Sequence, residues 1–98
     1  MPSDDTSSRI PTGLRAAGRR LYASVSDHYD LDEHEAALLL EASRTADQLA
    51  VLDAAVRRDG VLIDSPQGQR AHPALVEARG QRIVLARLIA ALRLPQGE

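Results

Sequence analysis

The sequence predicts an all-α domain built from a short N-terminal helix, a long helix and an antiparallel C-terminal helix, with a short β-hairpin joining the last two. Two observations lead to this prediction. Apolar residues recur at intervals of three and four through most of the chain, as they do along one face of an α-helix. Residues 61–71 break this period, because a β-branched run there is followed by turn residues.

The chain of 98 residues is long enough for one domain, with a core made mostly of aliphatic side chains. It has two Tyr and no Phe or Trp, so we expect a partner surface to complete this thin core. Residues 1–11 are rich in Ser, Asp and Pro and are predicted to be a disordered tail, which leaves 12–95 as a single helical domain. No apolar run reaches the roughly 18 residues that a membrane span needs, so we expect no membrane partner.

The first helix is predicted from about Thr12, as its N-cap, to about Asp27. The second runs from about Asp32 to about Arg58 and stops before Gly60, and Asp32 with Glu35 resembles a capping box. Its apolar seam consists of Leu31, Leu38, Ala42, Thr45, Leu49, Leu52 and Val56.

A second apolar patch is predicted on the opposite side of the long helix, centred on Leu40 and Val51. A helix that is apolar on two sides must be covered twice, so this patch is a candidate oligomer interface. The predicted interface residues are Leu40, Val51, Ala55, Val84 and Leu88.

The last helix is predicted to begin at Pro73, a favourable first-turn residue, and to end near Leu94–Pro95. The preceding sequence Ser-Pro-Gln-Gly, at 65–68, has the residues of a tight turn between two strands. The wide apolar face of this helix contains Leu75, Ala78, Leu85, Leu88, Ile89 and Leu92, and a lesser second face contains Val76, Ile83 and Ala90.

Charge is distributed along the chain as a basic, an acidic and a second basic segment, although the net charge is only −2. The arginines at the start are the best candidates for contacts with DNA phosphates, and they are Arg9, Arg15, Arg19 and Arg20. Three arginines of the last segment, Arg79, Arg82 and Arg93, have two interpretations: ion pairing with the acidic helix, which we favour, or a basic surface facing a DNA channel.

No catalytic, metal-binding or cofactor-binding residue is predicted. The chain has no Lys and no phosphate-binding loop, and it has no Cys. No two of its three histidines, His28, His34 and His72, have the spacing of a helical metal site, and surface or capping roles are expected for them. Ser65 lacks the sequence context of a catalytic nucleophile. We therefore expect a protein that is not an enzyme.

The order of several segments resembles the small terminase subunits of actinobacterial tailed phages and prophages. The resemblance covers about residues 12–95. Its most telling pieces are GLRAAGRRL at 13–21, LDEHE at 31–35 continuing into 38–41, RTAD at 44–47 and GQRAHPALVEAR at 68–79.

This resemblance implies a ring-like homo-oligomer that recognises double-stranded phage DNA in the cytoplasm of the bacterial host. It implies that 12–95 serves both oligomerisation and DNA recognition, and that a separate large subunit carries the ATPase and the nuclease. Two alternatives remain open: a dimeric helical DNA-binding regulator, and a structural adaptor without affinity for DNA.

Overall fold

The computed structural model describes residues 10–95 and has the predicted fold class. It is mostly helical, with one two-stranded antiparallel hairpin between the second and third helices. In chain order the elements are α1 (Ala16–Ser26), α2 (Glu33–Asp59), β1 (Leu62–Ser65), β2 (Gly68–Ala71) and α3 (Pro73–Leu92).

The long helix α2 begins and ends at the local signals that predicted it. The Asp32 carboxylate accepts the backbone N–H of Glu35 at 2.8 Å, and the Glu35 carboxylate accepts the N–H of Asp32 at 3.0 Å, which completes the capping box. The helix ends at Gly60, where φ is 88°. The middle of the predicted seam is buried, as Ala42, Thr45 and Leu49 show. Local sequence therefore determines this helix.

The first helix begins later than predicted, and the prediction of Thr12 as its N-cap is wrong. The N-cap is Arg15, whose own side chain makes no capping hydrogen bond. Instead, the Asp47 carboxylate of α2 accepts the backbone N–H groups of Arg15 and Gly18, each at 2.7 Å. The start of α1 is thus capped from another helix.

The predicted N-terminal tail falls mainly on residues 1–9, which lie outside the described residues. Its last two residues, Ile10 and Pro11, are described and half-buried, and Ile10 packs against the hydrophobic core. These two residues therefore belong with the helical domain rather than with a tail.

The hairpin and the start of α3 follow the predicted turn chemistry. Ser65 pairs with Gly68 across the two-residue turn, and Gly68 has a φ of 109°, which glycine adopts without strain. The His72 side chain then caps α3 by accepting the N–H of Ala74 at 2.9 Å. The helix ends at Arg93, which has a left-handed φ of 52°, slightly before the predicted end.

The three helices lie side by side in a molecule of 57 × 29 × 24 Å. Helix α3 runs antiparallel to α2, and α1 runs along only the first half of α2, because it begins beside Asp47. We call 10–47 with 85–95 the body, and 48–84 the arm. The fully packed core lies in the body and consists of Leu14, Tyr22, Val25, Leu39 and Leu92.

Candidate nucleic-acid and self-association surfaces

Close packing of α1 on α2 determines which side of α1 faces the solvent. Gly18 is buried against α2, and a Cβ at this position would lie 2.7 Å from the carbonyl oxygen of Ser43 and 2.5 Å from Oδ2 of Asp47. Only glycine permits this approach. Arg19 and Arg20, which follow directly, are therefore carried round to the exposed side of the helix.

Three of the four arginines predicted to contact DNA are exposed around the start of α1. Arg15, Arg19 and Arg20 form what we call the α1 basic cluster, and none of them takes part in an ion pair with the described residues. Arg9 lies outside the described residues. Because Asp47 engages N–H groups at the start of α1, phosphate contacts would have to come from the guanidinium groups.

The arginines of the last segment differ from one another. Arg82 forms an ion pair with Asp53 of α2 through distances of 2.9 and 3.0 Å, which is the predicted pairing of the basic and acidic helices. Arg79 is exposed and forms no ion pair within residues 10–95. Arg93 is the left-handed residue that ends α3. The ion-pair interpretation therefore applies to Arg82 within the chain.

The predicted oligomer interface does not form one exposed surface. Leu40 is half-buried and packs against the core, because α1 covers the side of α2 that was expected to be free. Ala55 and Leu88 are also half-buried. Val51 and Val84 are exposed, at 52% and 42%. Of the five residues, two are thus exposed to a second molecule.

Exposed large apolar side chains are concentrated in the arm. All six that are found among the described residues lie between 51 and 84, on α2, the hairpin and α3. They are Val51, Val61, Leu62, Val76, Ile83 and Val84. Single exposed apolar residues are common on protein surfaces, but the concentration of all six in the arm makes the arm the candidate interaction surface.

A groove of about 670 Å³ lies where α1 begins, between α2 and α3. Its lining includes Arg15 and Arg44 but also Asp47 and Glu77, together with the apolar side chain of Val51. Acidic and basic groups thus face the same space. This mixture does not favour an anion such as phosphate.

The end of α2 is tied to the start of α3 by a small polar network. Asp59 accepts hydrogen bonds from Arg58 and lies 2.9 Å from Nε2 of His72. Because Nδ1 of His72 accepts the N–H of Ala74, Nε2 carries the proton and donates to Asp59. Hydrogen bonding from Arg58, then from His72, lowers the pKa of Asp59 to about 2. Of the two roles expected for the histidines, surface or capping, His72 thus has the capping one.

The part of the chain that the structure describes contains no group of three or more His, Asp or Glu side chains that could hold a metal ion. Among its helices, none is both long and apolar enough to cross a membrane. Comparisons with models of protein families, with curated proteins and with solved structures find no match for this chain.

Proposed function

We propose that this chain is the small subunit of a viral DNA-packaging terminase. In this role it binds double-stranded phage DNA as a homo-oligomer in the bacterial host cytoplasm and delivers the DNA to a large subunit with ATPase and nuclease activities. The chain itself contributes no catalytic residue and no cofactor. The order of sequence segments described above supports the family, and the α1 basic cluster is the structural observation that supports DNA binding.

One copy of the α1 basic cluster provides too few contacts for tight binding. Three exposed arginines, Arg15, Arg19 and Arg20, can neutralise only a few phosphates, and each contributes a salt-dependent share of the affinity. An oligomer repeats the cluster, so that contacts after the first are made at high effective concentration. DNA binding should therefore depend on assembly and weaken steeply with salt.

A matched pair of variants tests this proposal. Arg19→Ala/Arg20→Ala removes two charges from the cluster, and Arg57→Ala/Arg70→Ala removes two other exposed arginines from the arm. Affinity for duplex DNA is measured by fluorescence anisotropy at several salt concentrations. We expect the first variant to bind every duplex sequence more weakly than the parent. The slope of log affinity against log salt concentration should become shallower by about two for each bound copy. The second variant should bind like the parent.

Other outcomes would favour the alternative functions. Equal binding by the parent and the cluster variant would show that α1 does not contact DNA. No binding of any duplex at low salt would favour a structural adaptor. A stable dimer that selects one operator-like sequence would favour a regulator, since the proposed role needs a larger assembly.

A further inference from the structure

Helix α3 presents a row of exposed residues on the side that faces away from α2. Arg79, Ile83 and Arg87 follow one another at intervals of four residues, so they lie along one face of the helix. Ile83 is 54% exposed, although it is large and apolar. Neither arginine forms an ion pair within residues 10–95, whereas their neighbour Arg82 is bound to Asp53. This row has no partner in the described part of its own chain.

Gly80, in the same region of α3, is not required by any close contact among the described residues. Gly80 lies in the interior of α3, and a Cβ at this position would meet nothing within 4 Å. An interior glycine costs a helix about 1 kcal/mol relative to alanine. Between Val76 and Ile83, which are both exposed, its bare backbone instead leaves room for the close approach of another molecule.

The first turns of α2 carry a row with the same spacing and the opposite charge. Glu33, Ala37 and Glu41 are all exposed and also follow at intervals of four. Only Glu41 has an ionic partner among the described residues, the exposed Arg44 on its own helix. In both rows the two charges are eight residues apart, or about 12 Å along a helix.

We infer that the Arg79–Ile83–Arg87 row of one copy binds the Glu33–Ala37–Glu41 row of a second copy of this chain. Two arginine–glutamate pairs would then flank a central contact in which the large Ile83 packs on the small Ala37. The inference rests on the proposed function, because it names the surfaces through which the oligomer assembles.

Charge favours the contact between the α3 and α2 rows over a symmetric contact between two α3 rows. If α3 packed on α3 of a second copy about a two-fold axis, four arginines would gather without an acidic partner from either row, and like charges at close range oppose association. The apolar centre at Ile83 likewise fits a protein surface better than a phosphate backbone. Where each copy binds one neighbour through its arginine row and another through its glutamate row, the contact is head-to-tail, and repeating it gives a ring or an open filament.

Charge reversal on each row tests the contact. One variant carries Arg79→Glu and Arg87→Glu, and the other carries Glu33→Arg and Glu41→Arg, which leaves the Asp32–Glu35 capping box intact. Arg57→Glu/Arg70→Glu is the control for reversing two exposed charges. Assembly is followed by light scattering and native mass spectrometry, helix content by circular dichroism, and duplex binding on the same samples.

We expect the parent and the control to assemble, and each row variant alone to shift towards the single-copy mass of 10.6 kDa with its helix content unchanged. When the two row variants are mixed in equal proportions, we expect assembly to return. The reversed α3 row of one variant then meets the reversed α2 row of the other. That rescue distinguishes a direct contact from general damage to the fold.

Several results would overturn the inference. If the parent assembles and both row variants assemble equally well, the interface lies elsewhere, while the proposed function stands as long as duplex binding persists. If the mixture remains dissociated, the two rows do not meet. If Glu33→Arg/Glu41→Arg assembles normally and only the arginine variant changes, α3 has a different partner surface. A parent that stays monomeric while binding duplex DNA refutes the contact and the oligomeric part of the function together.

Discussion

Gly18 and Gly80 both lie inside helices, but their surroundings are opposite. Gly18 is packed against the backbone and side chains of α2, whereas Gly80 faces open space. Opposite Gly18 stands Ser43, which is fully buried and whose hydroxyl has no hydrogen-bond partner among the described residues. Small residues on both helices thus allow α1 to approach α2 closely enough for Asp47 to reach its first N–H groups.

The Gly18→Ala substitution should therefore destabilise the protein. Its Cβ would lie 2.7 Å from the Ser43 carbonyl oxygen, so the two helices would have to separate, at a cost of about 1–3 kcal/mol. Gly80→Ala is the matched control and should stabilise the single chain by up to about 1 kcal/mol through helix propensity. Urea unfolding at low protein concentration measures both changes. Equal effects of the two substitutions would contradict the close-approach argument.

Asp59 occupies a position from which one carboxylate holds two elements together. It follows directly after Arg58 at the end of α2 and accepts from His72, the residue that caps α3. Its folded pKa of about 2 lies below the ordinary value of 3.8, because both partners favour the charged form. The ionised carboxylate therefore stabilises the folded state more than the unfolded state.

The sign of the resulting pH dependence follows from this lowered pKa. The contribution of Asp59 should be fully present above about pH 5 and should be lost as the pH falls towards 2. We expect Asp59→Asn to be less stable than the parent near neutral pH, and the difference to shrink as acid is added. Thermal unfolding at a series of pH values measures it, with Asp64→Asn on the exposed hairpin as the control. A difference that stays constant down to pH 2 would show that the network contributes nothing.

Among the elements, α2 and α3 could be predicted because their signals are local. The capping box of α2 spans four consecutive residues, and Pro73 begins α3 directly after the hairpin. The buried middle of the predicted α2 seam, Ala42, Thr45 and Leu49, also follows from the periodicity of α2, whereas Leu39 and Ser43 are buried outside that seam. The turn at Pro66–Gln67 required no contact with another part of the chain. Each of these features is determined by residues that are close in sequence.

The start of α1 could not be predicted in this way. Its cap is Asp47, which is 32 residues from Arg15 in sequence, and nothing near Thr12 signals that contact. The same packing explains Leu40, which lies opposite part of the seam on a helical projection but is covered by α1 in the folded chain. Sequence periodicity indicates which faces are apolar, but only the packing of helices indicates which of them stay free.

The candidate surfaces likewise combine features that local sequence determines with features that depend on helix packing. The exposure of Arg19 and Arg20 could be predicted, because they lie across α1 from its apolar stripe. The sequence predicts that Arg82 pairs with an acidic residue of the long helix. It does not identify Asp53 as the partner, because that depends on the register between α2 and α3. The row that includes Arg87 was not singled out, since its significance depends on knowing which side of α3 faces outward.

At the scale of the whole molecule, apolar burial is uneven along the long axis. The large buried side chains, such as Tyr22, Leu39 and Leu92, belong to the body, where three helices meet. In the arm the buried apolar residues are Leu49 and two alanines, Ala74 and Ala78. Fewer buried contacts mean a lower free energy of local opening. In the proposed oligomer, the arm is therefore the part whose stability we expect to depend most on assembly with other copies.

Hydrogen exchange should reveal this difference between the two halves. In dilute protein we expect the amides of 49–58 and 74–84 in the arm to exchange through local opening, before the amides of 36–46 in the body, which should require global unfolding. At concentrations where copies assemble, contacts with Val76, Ile83 and their exposed neighbours should slow exchange in the arm. The difference in exchange rate between arm and body should then become smaller.

Mass spectrometry of peptic fragments at both concentrations measures these exchange rates. In the Arg79→Glu/Arg87→Glu variant, amide exchange in the arm should stay fast at every protein concentration. Equal exchange in both halves of the dilute parent would show that the thin core of the arm is stable without a partner.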